Sequence, residues 1–196
     1  MTGTPVTEQN SNRPEPELTQ ELRDQALRAP GSWLYSIDPA YDPAGAVPPF
    51  AIIGAWPVDD KGEPGPFTHN PEYRPSPVTL GLPEPTDPVD AALQLAATGH
   101  GPDQAVVDAL AVATVCLPAD EGDDIAVYTD AEGRFVPVLT DPRHAPPTVE
   151  RLRSVPCAEL LRLLPADMTL KLNPGSRVSV RIPAADVRAT LDRPAQ

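Results

Sequence analysis

"SVPCAELLRLLPADMTLKLNPGSRVSVRIPAADVRATL", residues 154–191, decides the fold. Its first part places Cys157, Leu160, Leu161 and Leu164 at i, i+3, i+4 and i+7, one face of a helix over 154–165 that carries Pro156 in its first turn and stops at Pro165. The middle alternates instead, so Leu170 and Leu172 share one face of a strand and Val178 and Val180 share one face of the next. Side chains opposed across a hairpin lie on one face. That rule predicts Leu172 opposite Val178 and Leu170 opposite Val180, with Pro174, Gly175 and Ser176 as a three-residue loop. On this register Lys171, Ser179 and Arg181 line the opposite, polar face. "PAADVRATL" (183–191) closes the chain as a short helix with Val187 and Leu191 inward.

The same alternation of periods continues upstream. "TDPVDAALQLAATG" (86–99) reads as a helix: Thr86 or Asp87 can cap it, Pro88 suits its first turn, Val89, Leu93 and Ala96 form a stripe, and Gly99 ends it. A second helix follows at 103–111 with Val106, Val107, Leu110 and Ala111 apolar. "ATVCL" (113–117) has the look of a buried strand, and "IAVYT" (125–129) pairs with "RFVPVLT" (134–140) through a turn with Gly133 where a positive φ is wanted. Helices and strands in this order predict an α+β domain over 101–196, a mixed or antiparallel sheet with helices packed on it.

The first half is less regular. The chain has 28 prolines, yet seven of its nine aromatic residues (Trp33, Tyr35, Tyr41, Phe50, Trp56, Phe67 and Tyr73) lie in its most proline-dense stretch. Disordered linkers are aromatic-poor, so residues 17–100 are expected to form a folded, irregular module, preceded by a disordered tail at 1–16. Within it, Leu18, Leu22 and Ala26 mark a short helix ended by Pro30-Gly31, and "WLYSI" (33–37) and "FAIIGAW" (50–56) read as strands.

A formal charge of −13 opposes phosphate binding and anionic lipid surfaces, so no nucleic-acid partner is expected. The charge is uneven: residues 143–196 carry a net +4, against −8 over 101–142. The basic end suits an acidic protein surface. No charged-then-apolar leader opens the sequence and no run is long enough for a membrane span, so we expect no membrane insertion and a cytoplasmic protein. Cys116 and Cys157 have no CxxC spacing, which argues for neither a disulfide framework nor zinc.

Catalytic signals are sparse. His69, His100 and His144 fall in separate loops without metal-ligand spacing and read as surface residues. Asp120, Glu121, Asp123 and Asp124 crowd one loop that lacks the ligand pattern of a calcium site, and read as a solvated turn. Cys157, in the first turn of a helix, is the one nucleophile candidate with a physical rationale, but it also completes an apolar stripe, and core packing is the expected role. No P-loop, GxSxG, GxGxxG or paired-carboxylate pattern is present. We therefore expect no catalytic residues, no cofactor and no metal.

"VVDALAVATVCLP" (106–118), "VPVLTDP" (136–142), "ELLRLLP" (159–165) and "LKLNPGS" (170–176) together resemble the SseB-like (enhanced serine sensitivity) family. Preceded by "WLYSIDPAYDP" (33–43) and "PPFAIIGAWPVDDKGEPGPFTHNPEYRPSP" (48–77), the whole is similar to type VII secretion system-associated proteins of actinobacteria. Thirteen arginines against two lysines suit a GC-rich genome of that kind. The resemblance implies a non-enzymatic accessory or chaperone-like protein whose partner is a secretion substrate or a component of the machinery. It supplies no catalytic residues. A secreted effector of the same system and a small thiol-dependent enzyme using Cys157 are the alternatives. Tyr128 to Glu132 matches the short Y-x-x-x-E export pattern, but in a hairpin turn rather than after a helix pair, and is taken as chance. Residues 143–147 depart from the family by breaking the segment where a helix should start. Partner contacts are expected at Lys171, Arg177, Ser179 and Arg181 on and beside the polar hairpin face, and at Trp33, Trp56 and Tyr73 in the aromatic module.

Overall fold

A computed structural model describes residues 15–119 and 124–193. All but the last two residues of the expected tail lie outside these, as do Asp120, Glu121 and Asp123 of the acidic loop. The chain divides after Gly81 into two units.

In the first unit, α1 (Gln20–Arg28) follows Thr19, whose hydroxyl caps the Leu22 N–H. β1 (Trp33–Ile37) and β2 (Ile52–Pro57) pair antiparallel, with Leu34 opposite Trp56 and Tyr35 opposite Ala55. β3 (Thr68–His69) adds to the far side of β2, so among the described residues β1 is an open edge. Strand alternation sends Leu34 and Trp56 inward, where they meet Ala26 and Val58, with Leu18, Leu22 and Phe67 at the margin. Gly54 is required here: a Cβ at that position would lie 2.3 Å from the Phe67 ring and 2.4 Å from the Thr68 carbonyl. Its bareness lets Phe67 close over Trp56, with ring centroids 4.6 Å apart.

The second unit begins with α2 (Pro88–Ala97) and α3 (Asp103–Val112), followed by β4 (Thr114–Pro118), β5 (Tyr128–Asp130), β6 (Gly133–Val138) and β7 (Leu152–Pro156). α4 (Cys157–Leu163), β8 (Thr169–Leu172), β9 (Val180–Pro183) and α5 (Ala184–Leu191) complete it. Asp87 is the α2 cap, accepting from the Val89 and Asp90 N–H groups at 2.8 and 3.0 Å. The main sheet runs β5-β6-β8-β9, antiparallel except for the parallel β6/β8 pair, while β4 and β7 form a separate antiparallel ribbon. Val136, Val138, Leu170, Leu172 and Ile182 bury one sheet face against Leu110, Leu160, Leu161 and Val187 of the helices. This is the expected α+β architecture with a mixed sheet.

Several details differ from expectation. Residues 154–156, expected to open the helix, instead end the strand β7, and α4 starts only at Cys157. Val155 is buried by pairing with Val115, and Pro156 stands just before the helix. The last hairpin pairs Leu172 with Val180 and Leu170 with Ile182, two residues away from the expected register. A two-residue shift preserves side-chain parity, so alternation alone could not separate the two registers. The longer loop is held by Ser176 N–H donating to the Asn173 carbonyl at 3.0 Å and by Ser179 Oγ donating to the Leu172 carbonyl at 2.7 Å. Leu191, expected inward, is 40% exposed. The unit boundary falls after Gly81 rather than after residue 100, because Val89 and Leu93 of α2 pack into the second unit's core beside Val106 and Leu110. After "VLTDP" the chain makes a single 3-10 turn, Pro142–His144, before entering β7.

Candidate functional site

The polar face of the last hairpin is where sequence reasoning placed the partner. Lys171 and Arg181 lie on the expected side, away from Leu170 and Leu172, and the observed register makes them direct cross-strand neighbours, where the expected one put Ser179 opposite Lys171. They are not a bare cationic surface. β6 lies parallel to β8 on that sheet and brings the β5–β6 hairpin alongside, so Asp130 pairs with Arg181 and, at 3.2 Å, with Lys171, while Glu132 reaches Arg181 Nε at 2.8 Å. Both cations also lie over the Phe135 ring, 4.9 and 4.7 Å from its centroid, and Tyr128 stacks on Phe135 at 6.0 Å. The Lys171 and Arg181 side chains are 29% and 16% exposed, which corrects the expectation that both stand free in solvent. Burial opposes ionisation of Asp130, but the Glu132 N–H, Lys171 and Arg181 outweigh it and hold the carboxyl below the usual range. Arg177 and Ser179 are exposed in the preceding loop.

Of the aromatic candidates, only Trp33 is a surface group. Trp56 is buried in the first unit's cluster, its Nε1–H donating to Glu15 Oε1 at 3.3 Å, and Tyr73 is buried as well. Trp33 has a partner the sequence reading missed: Tyr35, two residues on along β1 and therefore on the same face. Trp33 and Tyr35 are 51% and 53% exposed on an edge strand. The burial alternation of "WLYSI" around Leu34 is the signal that could have found the pair.

Tyr73 serves a different centre. Asp38, fully buried just after β1, accepts from Tyr73 Oη at 2.8 Å, the Ser76 N–H at 3.0 Å, the Ser76 hydroxyl, Thr79 Oγ1 at 2.9 Å and the Ala40 N–H at 3.0 Å. Burial alone would raise its pKa, but the donors from Ser76, Ala40 and Tyr73 prevail and bring it from 3.8 to about 2. The carboxylate ties the end of β1 to the loop at 73–79. An Asp-Pro pair marks a turn locally, but nothing local in the sequence marks the donors at Tyr73, Ser76 and Thr79.

The Asn173-Pro174-Gly175-Ser176 turn is also held from a distance. Asn173 is buried at φ 45°, and its Oδ1 accepts from the Thr140 N–H at 2.9 Å while its Nδ2 donates to Thr140 Oγ1 at 3.0 Å. Ser176 Oγ lies 3.1 Å from His144 Nδ1, and His144 Nε2 lies 2.9 Å from Thr86 Oγ1 and 3.7 Å from Asp90 Oδ2. His144, expected at the surface, is only 13% exposed. A serine, a histidine and an aspartate thus meet, but Thr86 stands at the ring position an acid would take. Asp90 Oδ2 instead accepts from the Thr86 N–H at 2.9 Å and Gln94 Nε2 at 3.3 Å. The arrangement clasps three segments together.

Cys157 has no exposure and burial pushes its thiol up to about 11, so it is held as the neutral thiol against Leu160 and Leu161. Among the described residues no group of His, Cys, Asp and Glu could hold a metal ion, and no helix is long and apolar enough to cross a membrane.

No curated protein and no solved structure matches the chain. Residues 89–189, just over half of it and running from the first turn of α2 into α5, match the SseB protein N-terminal domain, and the chain belongs to that family.

Proposed function

We propose that this protein is a non-enzymatic, protein-binding accessory module that works in the cytoplasm for a type VII secretion system, holding a substrate or a component of the machinery. Membership of the SseB family supports an interaction role. The secretion context rests on the resemblance of residues 30–191 to proteins associated with that system. One observation carries the binding role: Trp33 and Tyr35 stand half exposed, side by side, on an open edge strand. Tryptophan and tyrosine dominate binding hot spots because each covers a large area with few rotors to freeze. A solitary exposed aromatic is ordinary, but an adjacent pair on an unpaired edge is what a partner strand or helix would cover.

Photo-crosslinking from position 35 in a host with an active type VII locus tests the reading. The expected product joins this chain to a secreted substrate or a machine component in the cell fraction. Trp33→Ala with Tyr35→Ala should weaken binding to that partner by tenfold or more without unfolding the chain. Accumulation in the medium without lysis would identify a secreted effector instead.

A further inference from the structure

The second unit has its own open edge at β9, and a groove of about 350 Å³ runs along it. Every residue from Val178 to Pro183 lines that groove, facing Leu93 and Ala96 of α2 and Val107 of α3. Continuous lining by successive residues means that the strand's backbone, as well as alternate side chains, borders the space. The ladder shows which backbone groups do so. Ala184 N–H donates to the Met168 carbonyl at 2.8 Å, one position beyond the Thr169–Pro183 pair. Bonded and non-bonded pairs alternate in an antiparallel ladder, so Ile182 and Val180 bond to β8 while Arg181 does not. The opposite parity of β8 agrees: Asn173 N–H turns the other way, to the Val138 carbonyl at 2.8 Å. The backbone N–H and C=O of Arg181 therefore point to the open edge.

The charges of the groove are as informative. Asp103, in the first turn of α3, and Asp186, in the first turn of α5, both line it and both are exposed, and neither has an ion-pair partner among the described residues. The one cation in the lining, Arg181, is committed to Asp130 and Glu132. An apolar floor, a backbone donor and acceptor unpaired among the described residues, and two exposed carboxylates without an ion-pair partner among them suit an extended, basic segment. We propose that β9 is a second docking site, separate from the Trp33–Tyr35 edge, which takes an extended segment of a partner protein by strand addition. Apolar side chains at alternate positions enter the groove, and a lysine or arginine meets Asp103 or Asp186.

The test uses the full chain and two fluorescein-labelled nonapeptides, each alternating valine and threonine, one with lysine and one with glutamate at both ends. We expect the lysine peptide to bind at least tenfold tighter, Asp103→Asn with Asp186→Asn to remove most of that preference, and bound peptide to slow amide exchange of Arg181 in the unaltered chain at least tenfold. The proposal is overturned by failure of the lysine peptide to bind, by equal affinity for both peptides, or by binding that leaves the Arg181 amide unprotected. Self-association through β9 that blocks the peptide would also overturn it, by assigning the edge to a second copy.

Discussion

Residues 15–81 gather four buried side chains, Ala26, Leu34, Trp56 and Val58, into an apolar cluster, whereas the described residues from 82 to 193 gather twenty, from Val89 to Val187. The first unit also spends most of its length outside regular elements, where turns and loops must find hydrogen-bond partners without a continuous ladder. It meets that need with one buried carboxylate serving five donors. The second unit buries Asn173 and Asp90 too, but as fasteners on a core that leucines and valines already hold. A proline-rich segment can thus be ordered by a polar hub, provided every lone pair is used.

The sharpest way to break this contrast is Asp38→Ala. It leaves the Tyr73 hydroxyl and both Ser76 donors, on buried residues, without the Asp38 acceptor, each worth about 1–3 kcal/mol, for an expected loss of about 4 kcal/mol. Both tryptophans of the chain lie in the first unit, so tryptophan emission during urea unfolding reports it directly. An unshifted midpoint would show that the hub does not hold the loops. In the second unit the comparable injury is apolar: Leu160→Ala should cost about 3 kcal/mol, measured by far-ultraviolet circular dichroism in urea.

Acid should separate the units next. The Asp38 carboxyl is depressed in the folded form from 3.8 to about 2, so its contribution is complete above the unfolded value and is lost as pH falls from 3.8 towards 2. Linkage makes the loss about 2 kcal/mol, read as a tryptophan-monitored midpoint that falls from about pH 5, roughly one unit above the unfolded value, down to the folded value of about 2. Asp38→Asn should flatten that dependence. The smallest effect concerns Cys157, whose buried neutral thiol should react with a maleimide at pH about 7 only as fast as the chain unfolds. Rapid labelling of Cys157 in the folded protein, located by peptide mapping because Cys116 is also a free thiol, would restore the thiol-enzyme alternative.

How far the sequence carried this reading depends on the range of the interaction concerned. Apolar periodicity located α2, α3 and the body of α4, because a helix or strand must present one continuous face to the core and the spacing of Val89, Leu93, Leu160 and Leu161 records which face. It failed at residues 154–156, where pairing with β4 overrode helical spacing, and at the last hairpin, where two registers of equal parity bury the same leucines. Among the candidate contact residues, Trp33 stands at the surface, and the exposure of Tyr35 was within reach of the same alternation. Trp56 and Tyr73 were misread because composition says that an aromatic is present and not which way it faces.

What the sequence determined by itself was local: element type, face, cap and turn, together with an acidic charge balance and the resemblance to the SseB family. Only the tertiary structure decided the long-range matters. It laid β6 parallel to β8 and so delivered Asp130, Glu132 and Phe135 to Lys171 and Arg181, turning an expected basic surface into a compensated one. It brought Ser76 and Thr79 to Asp38, and His144 to Ser176, across dozens of residues. It also left β1 and β9 at open edges. Hydrogen bonds, ion pairs and strand order depend on distances between segments far apart in the chain, and no one-dimensional pattern of residue types encodes those distances.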